Sequence, residues 1–440
     1  MFSIYSVDEA KQTILRRRAI DDYEIPPALS DNMLRFFGEA LTPEQGVARI
    51  LKEIRTQGDA ALHKWAQILD GSTQTSFRVP METIRSALQL ITPEQKAALE
   101  VSISRVRTFH QHQPLSSWIN NDLGGILGQM VRPIRRVGLY IPAGTAPLPS
   151  SVIMSAVPAQ VAGVSQIVLV APPDRKTGQI SSLILAAAAL LGLEEVYAVG
   201  GAQAIGALAY GTESIPPVDK IFGPGNLFVT LAKKQVYGTV GIDNLAGPTE
   251  TMVIADEFAN PAWVASDLLA QAEHDLLASA ILLTPSQSMA MAVAAEIQKQ
   301  LDQRSRVETI RTSLQNRGGA VITRDLDEAI ALANNYGAEH LCLAVCNPWT
   351  WVEKITCAGG IFIGEHSFEV LGDYVAGPSH VMPTSGSARF ASPLNVWDFI
   401  KLISLIGLDE KTVSQIAPTA IIIANAEGLD AHASAAEMRL

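Results

Sequence analysis

Gln271 and His274, within the stretch Asp-Leu-Leu-Ala-Gln-Ala-Glu-His-Asp (267–275), are of types that bind divalent metal: an amide oxygen and an imidazole nitrogen. Residues 262–280 are Ala- and Leu-rich and free of Gly and Pro. That composition predicts a helix of roughly four or five turns. On it, residues three apart share a face, so Gln271 and His274 point one way and Glu273 and Asp275 elsewhere. Taken alone, the pair also fits a polar helix face with a surface histidine. It is a weaker metal signal than H-E-x-x-H.

Other residues carry chemistry of their own. Glu339 and His340 are adjacent where a helical pattern gives way to a strand. There they can work as a pair of general bases at a sheet edge, or serve structure only. Gly372-Asp373-Tyr374 and Gly377-Pro-Ser-His380 form a Gly/Pro-rich loop after the last strand, where open α/β sheets place ligands. Asp373 reads as a metal carboxylate or as a turn residue. Glu427 and His432 lie in a polar motif near the C-terminus, where such motifs are rare unless the tail docks. Gln271, His274, Asp373 and His432 together make a mixed nitrogen and oxygen set suited to zinc. Spacing does not show that they meet. Gly223-Pro-Gly-Asn226 joins a strand to a helix and lets a ligand approach the backbone, or is a plain tight turn. His110 and His112 follow a helix and are expected to face solvent.

These residues need elements to position them. Residues 1–120 read as helical, with Thr42 and Thr92 as N-caps before Pro43 and Pro93. Val47, Ile50, Leu51 and Ile54 form one apolar stripe. Strands are expected at 135–141, 166–171, 195–199 and 220–222, alternating with helices at 151–164, 180–191 and 203–210 and from 227 to 235. The alternation resumes with strands at 251–255, 280–283, 320–323, 340–345 and 360–363. Helices are expected between them at 286–301, 326–336 and 348–356, with a helical tail from about 394. Strands alternating with helices imply parallel sheets covered on both faces, and two such blocks imply two related sheets.

Composition excludes several classes. The 440 residues are 48% apolar and 18% charged, with net charge −11. An acidic chain is a poor partner for nucleic acid or an anionic membrane surface. No apolar run approaches a membrane span, and the N-terminal residues lack the pattern of a signal peptide. Three cysteines, Cys342, Cys346 and Cys357, are too few for a disulfide framework, so a reducing cytoplasm is the expected compartment. No G-x-G-x-x-G opens a helix in the first α/β block, so the ordinary dinucleotide fingerprint is missing.

The long stretch 223–250, from Gly-Pro-Gly-Asn through Gly-Ile-Asp-Asn-Leu-Ala-Gly-Pro-Thr-Glu, resembles the signature of the histidinol dehydrogenase family. The resemblance continues through Gln271-Ala-Glu-His274-Asp, Glu339-His340-Leu, Gly-Asp373-Tyr and Glu427-Gly-Leu-Asp-Ala-His432, in the family's order. It implies oxidation of L-histidinol through L-histidinaldehyde to L-histidine with two NAD and one zinc. It implies zinc held by Gln271, His274, Asp373 and His432, the last donated across an intertwined homodimer. His340 would take the alcohol proton, and Glu339 would activate water for the aldehyde step. Thr249 and Glu427 fall where the family contacts substrate, as do His340 and the zinc-binding residues. Tyr140, Gln203 and Asn226 fall where it contacts NAD. The missing fingerprint fits a family that binds NAD weakly. The implied architecture is α/β, two incomplete Rossmann-like domains with helical ends. A helical arm (1–25) precedes a discontinuous metal and substrate domain (26–140 and 249–393). An NAD domain (141–248) is inserted in it, and a helical tail (394–440) serves the partner's site.

Thr249 stands where the family has Ser, and Gly337-Ala338 replaces Ala-Pro before Glu339. Cys342 replaces Glu. These departures leave room for a relative acting on another amino alcohol or a polar diol. From a different class, a zinc-stabilised binding protein without turnover is the competing expectation; intact Glu339 and His340 argue against it.

Overall fold

The computed structural model describes residues 2–17, 33–143 and 147–440. The first eight strands in chain order are β1 (Ile4–Ser6), β2 (Trp118–Asn120), β3 (Ile126–Pro133), β4 (Arg136–Tyr140), β5 (Gln166–Ala171), β6 (Glu195–Ala198), β7 (Lys220–Phe222) and β8 (Gly241–Ile242). There follow β9 (Glu250–Ala255), β10 (Ser279–Thr284), β11 (Gly318–Ile322), β12 (His340–Ala344), β13 (Gly360–Ile363) and β14 (Ile400–Gly407).

Strands β4 to β8 form a parallel sheet in the order β6-β5-β4-β7-β8. A second parallel sheet runs β11-β10-β9-β12-β13, with β1 added beside β11. Numbered within its own sheet, each runs 3-2-1-4-5. Winding therefore reverses between β4 and β7 in one sheet and between β9 and β12 in the other, as in doubly wound folds. Every residue of β4, β9 and β12 is buried, which suits strands covered by helices on both faces.

The capping expectations agree with the structure. Thr42 and Thr92 each cap a helix and exchange hydrogen bonds with Gln45 and Gln95. Val47, Ile50, Leu51 and Ile54 are buried as a stripe on helix Pro43–Gln57. Their core, however, includes Val168, Val170, Ile205 and Leu208 of the five-stranded sheet and its helices. This packing differs from the expected domain boundaries, which group 26–140 with the metal-bearing unit. A stripe shows that a face is buried, not against which sheet.

Both chain ends differ from expectation. Residues 4–6 are not part of a helical arm but an edge strand, and among the described residues of the arm Val7–Gln12, capped by Ser6, is the helical stretch. Arg17 then forms a two-pronged ion pair with buried Glu250 and lies 3.6 Å over the Tyr336 ring. The expected arm boundary near 25 falls outside the described residues, as does part of the loop 140–150. At the other end, 400–407 is strand β14, not helix. It pairs antiparallel with β3, which pairs with β2, in a third sheet. Leu402, Ile403, Leu405 and Ile406 have a spacing that fits a helical stripe, but pairing with a distant strand decides in favour of β. Helices Glu410–Ala426 and Asp430–Glu437 complete the tail. Ile119, Leu402, Ile406, Ile416 and Ile422 lie exposed on this sheet and tail.

Three smaller differences bear on the site. Helix Pro261–Ala272 ends before His274, which sits in the following turn. His110 is buried, not solvent-facing, with Nδ1 2.9 Å from Gln113 Oε1. The segment Pro348–Lys354 is a 3₁₀ helix. No helix among the described residues is long and apolar enough to cross a membrane.

Candidate active site

Parallel strands fix where the polar residues gather. His340 is the first residue of β12, Glu339 directly precedes it, and Thr249 precedes β9, the neighbouring strand. Helix Pro261–Ala272 joins parallel strands β9 and β10, so it must run back and deliver Gln271 to the same edge. After β13 the chain doubles back over the sheet face. Glu369 accepts from Cys342 Sγ at 2.9 Å and from Thr251, and four residues later Asp373 reaches His340. The cluster thus sits at the amino edge of the six-stranded sheet, not at the carboxyl edge expected for Asp373. Asp373 itself lies on a short helix, Glu369–Tyr374, not in a loop.

Distances define the cluster. The Thr249 hydroxyl lies 2.7 Å from Glu339 Oε2, to which it donates, and 3.2 Å from Gln271 Oε1. The Glu250 backbone N–H donates to Glu339 Oε2 at 3.1 Å. Gln271 Nε2 is 3.4 Å from Asp373 Oδ2. His340 Nδ1 stands 3.7 Å from Glu339 and Nε2 stands 3.6 Å from Asp373, both too long for hydrogen bonds. Both nitrogens are buried without a partner. Two orphaned imidazole nitrogens facing carboxylates are costly unless a ligand completes them.

The electrostatics are those of a site short of positive charge. Burial pushes Glu339 up to about 7, against the opposing pulls of His340, Thr249 and the Glu250 N–H. Burial alone would lower His340, but Glu339, Asp373 and Glu369 together raise it to about 10. Burial lifts Asp267 to about 7, with Glu369 and Glu365 adding to the rise. His274 is an exposed residue, yet partial burial of its imidazole holds it below the usual histidine range against the pull of Asp373, which favours the neutral form that a metal requires. Among the described residues no three His, Cys, Asp or Glu converge as a ready metal cage. Gln271, Asp373 and His274 nevertheless supply amide, carboxylate and imidazole donors beside the orphaned His340. That donor set and the negative surplus fit a divalent cation. Glu427 and His432 take no part in this cluster's hydrogen bonds and ion pairs among the described residues; both are exposed on the tail.

Across from this edge lies the carboxyl edge of the five-stranded sheet. Tyr140 ends β4, its hydroxyl accepts from the Gly201 N–H at 3.1 Å, and burial pushes its phenol up to about 12. Gln203 is fully buried and donates to Asp70 at 2.8 Å. Asn226 caps helix Leu227–Val236, its oxygen accepting from Phe228 and Val229, which leaves its amide nitrogen to meet a ligand. The Gly223 loop is clamped from behind. Its N–H donates to Asp243 at 2.7 Å and its carbonyl accepts from Lys233 at 2.9 Å. Lys233 and Asp243 are themselves paired and buried. Gly223 has φ +111, and a Cβ there would lie 2.1 Å from the Tyr140 carbonyl oxygen, so only glycine fits. His380 links the two edges, with Nδ1 2.8 Å from the Asp373 carbonyl and Nε2 3.3 Å from Ser151 Oγ. Ser151 belongs to helix Pro149–Val161, which follows β4.

Sequence reasoning passed over Glu369, Asp267 and Ser151. The available signal was register: Glu369 with Asp373, and Asp267 with Gln271, are pairs four apart on helices and so share a face.

The sequence profile of the histidinol dehydrogenase family matches residues 39–440. The histidinol dehydrogenase of Deinococcus radiodurans is 50% identical over 425 residues, covering 96% of this chain and 97% of that protein. The histidinol dehydrogenase of Moorella thermoacetica is 49% identical over 411 residues, covering 92% and 97%. The crystal structure of histidinol dehydrogenase from Elizabethkingia anophelis superposes with a TM-score of 0.90 at 35% identity, covering 100% of this chain and 98% of that one.

Proposed function

The chain belongs to the histidinol dehydrogenase family, and from that premise we propose that it oxidises L-histidinol through L-histidinaldehyde to L-histidine, with NAD and zinc. One observation carries the site assignment. Thr249, Gln271, Glu339, His340 and Asp373 converge at one sheet edge, with both His340 nitrogens left open.

Gln271, His274 and Asp373 hold zinc from this chain, and His432 of the partner subunit completes the set. Bound zinc supplies positive charge that orients the substrate amine and hydroxyl and lowers their pKa, and NAD supplies the hydride acceptor. Tyr140, Gln203 and Asn226 hold the dinucleotide. His340 takes the hydroxyl proton during alcohol oxidation. To do so it must be neutral, which requires that cationic charge offset Glu339, Asp373 and Glu369. Glu339, oriented by Thr249 and the Glu250 N–H, takes a proton from the water that adds to the aldehyde. Thr249 also reaches Gln271, so one hydroxyl ties the base to the metal-binding side chain. The substrate side is completed by Glu427 of the partner subunit. The enzyme is a homodimer with shared sites and works in the cytoplasm; free Cys342, Cys346 and Cys357 are in keeping with a reducing compartment.

Metal removal tests this. A strong chelator should abolish NADH formation from histidinol while circular dichroism stays unchanged. The buried cores of the two parallel sheets do not depend on an ion as a small zinc finger does. Added zinc should restore turnover. Full activity in a metal-free sample contradicts the zinc assignment.

A further inference from the structure

Gln203 is fully buried, yet its carboxamide oxygen has no hydrogen-bond partner. Its nitrogen is committed: Nε2 donates to Asp70 Oδ2 at 2.8 Å. A carboxylate accepts and does not donate, so an ionised Asp70 permits only one orientation of the Gln203 amide. Burial pushes Asp70 up to about 6, against the pulls of Arg175 and Gln203, so at neutral pH it remains mostly ionised. Asp70 comes from outside the sheet, at the last residue of helix Asp59–Asp70. It borders a cavity of about 400 Å³ between that helix end and the loop after β5. The acid just after β5, where doubly wound folds commonly place a ribose-binding carboxylate, already holds its own loop through one oxygen, Oδ1. Asp174 accepts from the N–H groups of Lys176 and Thr177 and from the Thr177 hydroxyl.

We propose that Asp70 is a positioning residue for the dinucleotide: it locks the Gln203 carboxamide with its oxygen presented as an acceptor for a donor group of NAD, such as a ribose hydroxyl or an amide N–H. The opposite polarity stands nearby, since Asn226 uses its oxygen in the helix cap and offers nitrogen. The two amides would read complementary groups of one ligand. Without Asp70 the Gln203 amide is free to turn, and a buried acceptor matched to the ligand is replaced by a mixture of orientations. The inference rests on the assignment of Gln203 to NAD.

Calorimetric titration with NAD, in the zinc-loaded dimer without histidinol, tests it. Asp70→Leu should weaken NAD binding about tenfold, the loss of roughly one neutral hydrogen bond. KM for NAD should rise in parallel, with kcat at saturating NAD within about twofold of the parent. Asp70→Asn, whose amide can either accept from Nε2 or donate to Oε1, no longer fixes one orientation and should weaken NAD binding by less than Asp70→Leu does, but measurably. Gln203→Ala separates the two levels. If it weakens NAD binding and Asp70→Leu does not, the positioning role is overturned while the NAD assignment stands. If the parent itself fails to bind NAD, both fall. A fall in kcat with unchanged NAD affinity in Asp70→Leu also overturns the proposal. Should Asp70→Leu fail to fold, Asp70→Ala is read by the same titration and the same criteria.

Discussion

Glu339→Gln should slow oxidation of the aldehyde by about 10²–10⁴-fold, the usual loss for a general base, and slow oxidation of the alcohol far less. Only the aldehyde step needs an activated water. The substitution is structurally mild. Thr249 and the Glu250 N–H both donate to one Glu339 oxygen, and the Gln oxygen can take both bonds. The carboxylate's capacity to accept a proton is lost; its place in the fold is not. The pH dependence has a definite sign. As a general base Glu339 must be ionised, and burial lifts it to about 7, so aldehyde oxidation should rise as pH climbs through about 7. For folding the sign is opposite. A carboxyl raised in the folded state contributes its full stability below its ordinary value of 4.5, and that contribution is lost as pH rises through about 7. Single-turnover assays supplied with histidinol or with histidinaldehyde separate the steps. Equal, unslowed rates for both in E339Q contradict the water-activating role.

The second large effect is recovery from zero. His274→Ala and His432→Ala should each abolish turnover as homodimers. After subunit exchange, the mixed dimer should regain activity. With shared sites, one site of each mixed dimer carries both lesions and the other carries neither. The geometry motivates this directly. Gln271 and Asp373 meet, and His274 feels the Asp373 charge, whereas His432 stands exposed on helix Asp430–Glu437. The third sheet exposes Leu402 and Ile406 on one face and Ile119 on the other, and the following helix exposes Ile416 and Ile422, apolar side chains for a second copy to cover. A tail folded onto its own subunit leaves every site with one lesion, and no activity returns. Size-exclusion and exchange controls distinguish failed mixing from self-contained sites.

The alternation of strands and helices was legible because central parallel strands are continuous apolar runs, as in Val168–Leu169–Val170 of β5 and Leu341–Cys342–Leu343 of β12. Helix starts were legible through Thr42 and Thr92, whose capping is local. What depended on distant partners was not. The edge strand β1 owes its conformation to β11, and β14 owes its own to β3. Neither is distinguished by local pattern from the helices expected there. Among site residues, Thr249, Gln271, Glu339, His340 and Asp373 were nameable from motif and resemblance, and the fold brings them together. Their location at the amino edge was not, because it follows from the helix running back to Gln271 and from the chain doubling over β12 to Asp373. Glu369 offered only its register with Asp373, and Asp70 offered nothing, for the same reason: an acidic residue announces its burial only through the elements that close over it.

NADH yield decides whether histidinol undergoes a four-electron oxidation at one zinc site. With histidinol limiting and NAD in excess, the zinc-loaded enzyme should form two NADH per histidinol consumed and release histidine. Sulfonated and plain diols, run beside it, should yield far less. One NADH per histidinol with accumulating aldehyde, or turnover of a diol in place of histidinol, contradicts it.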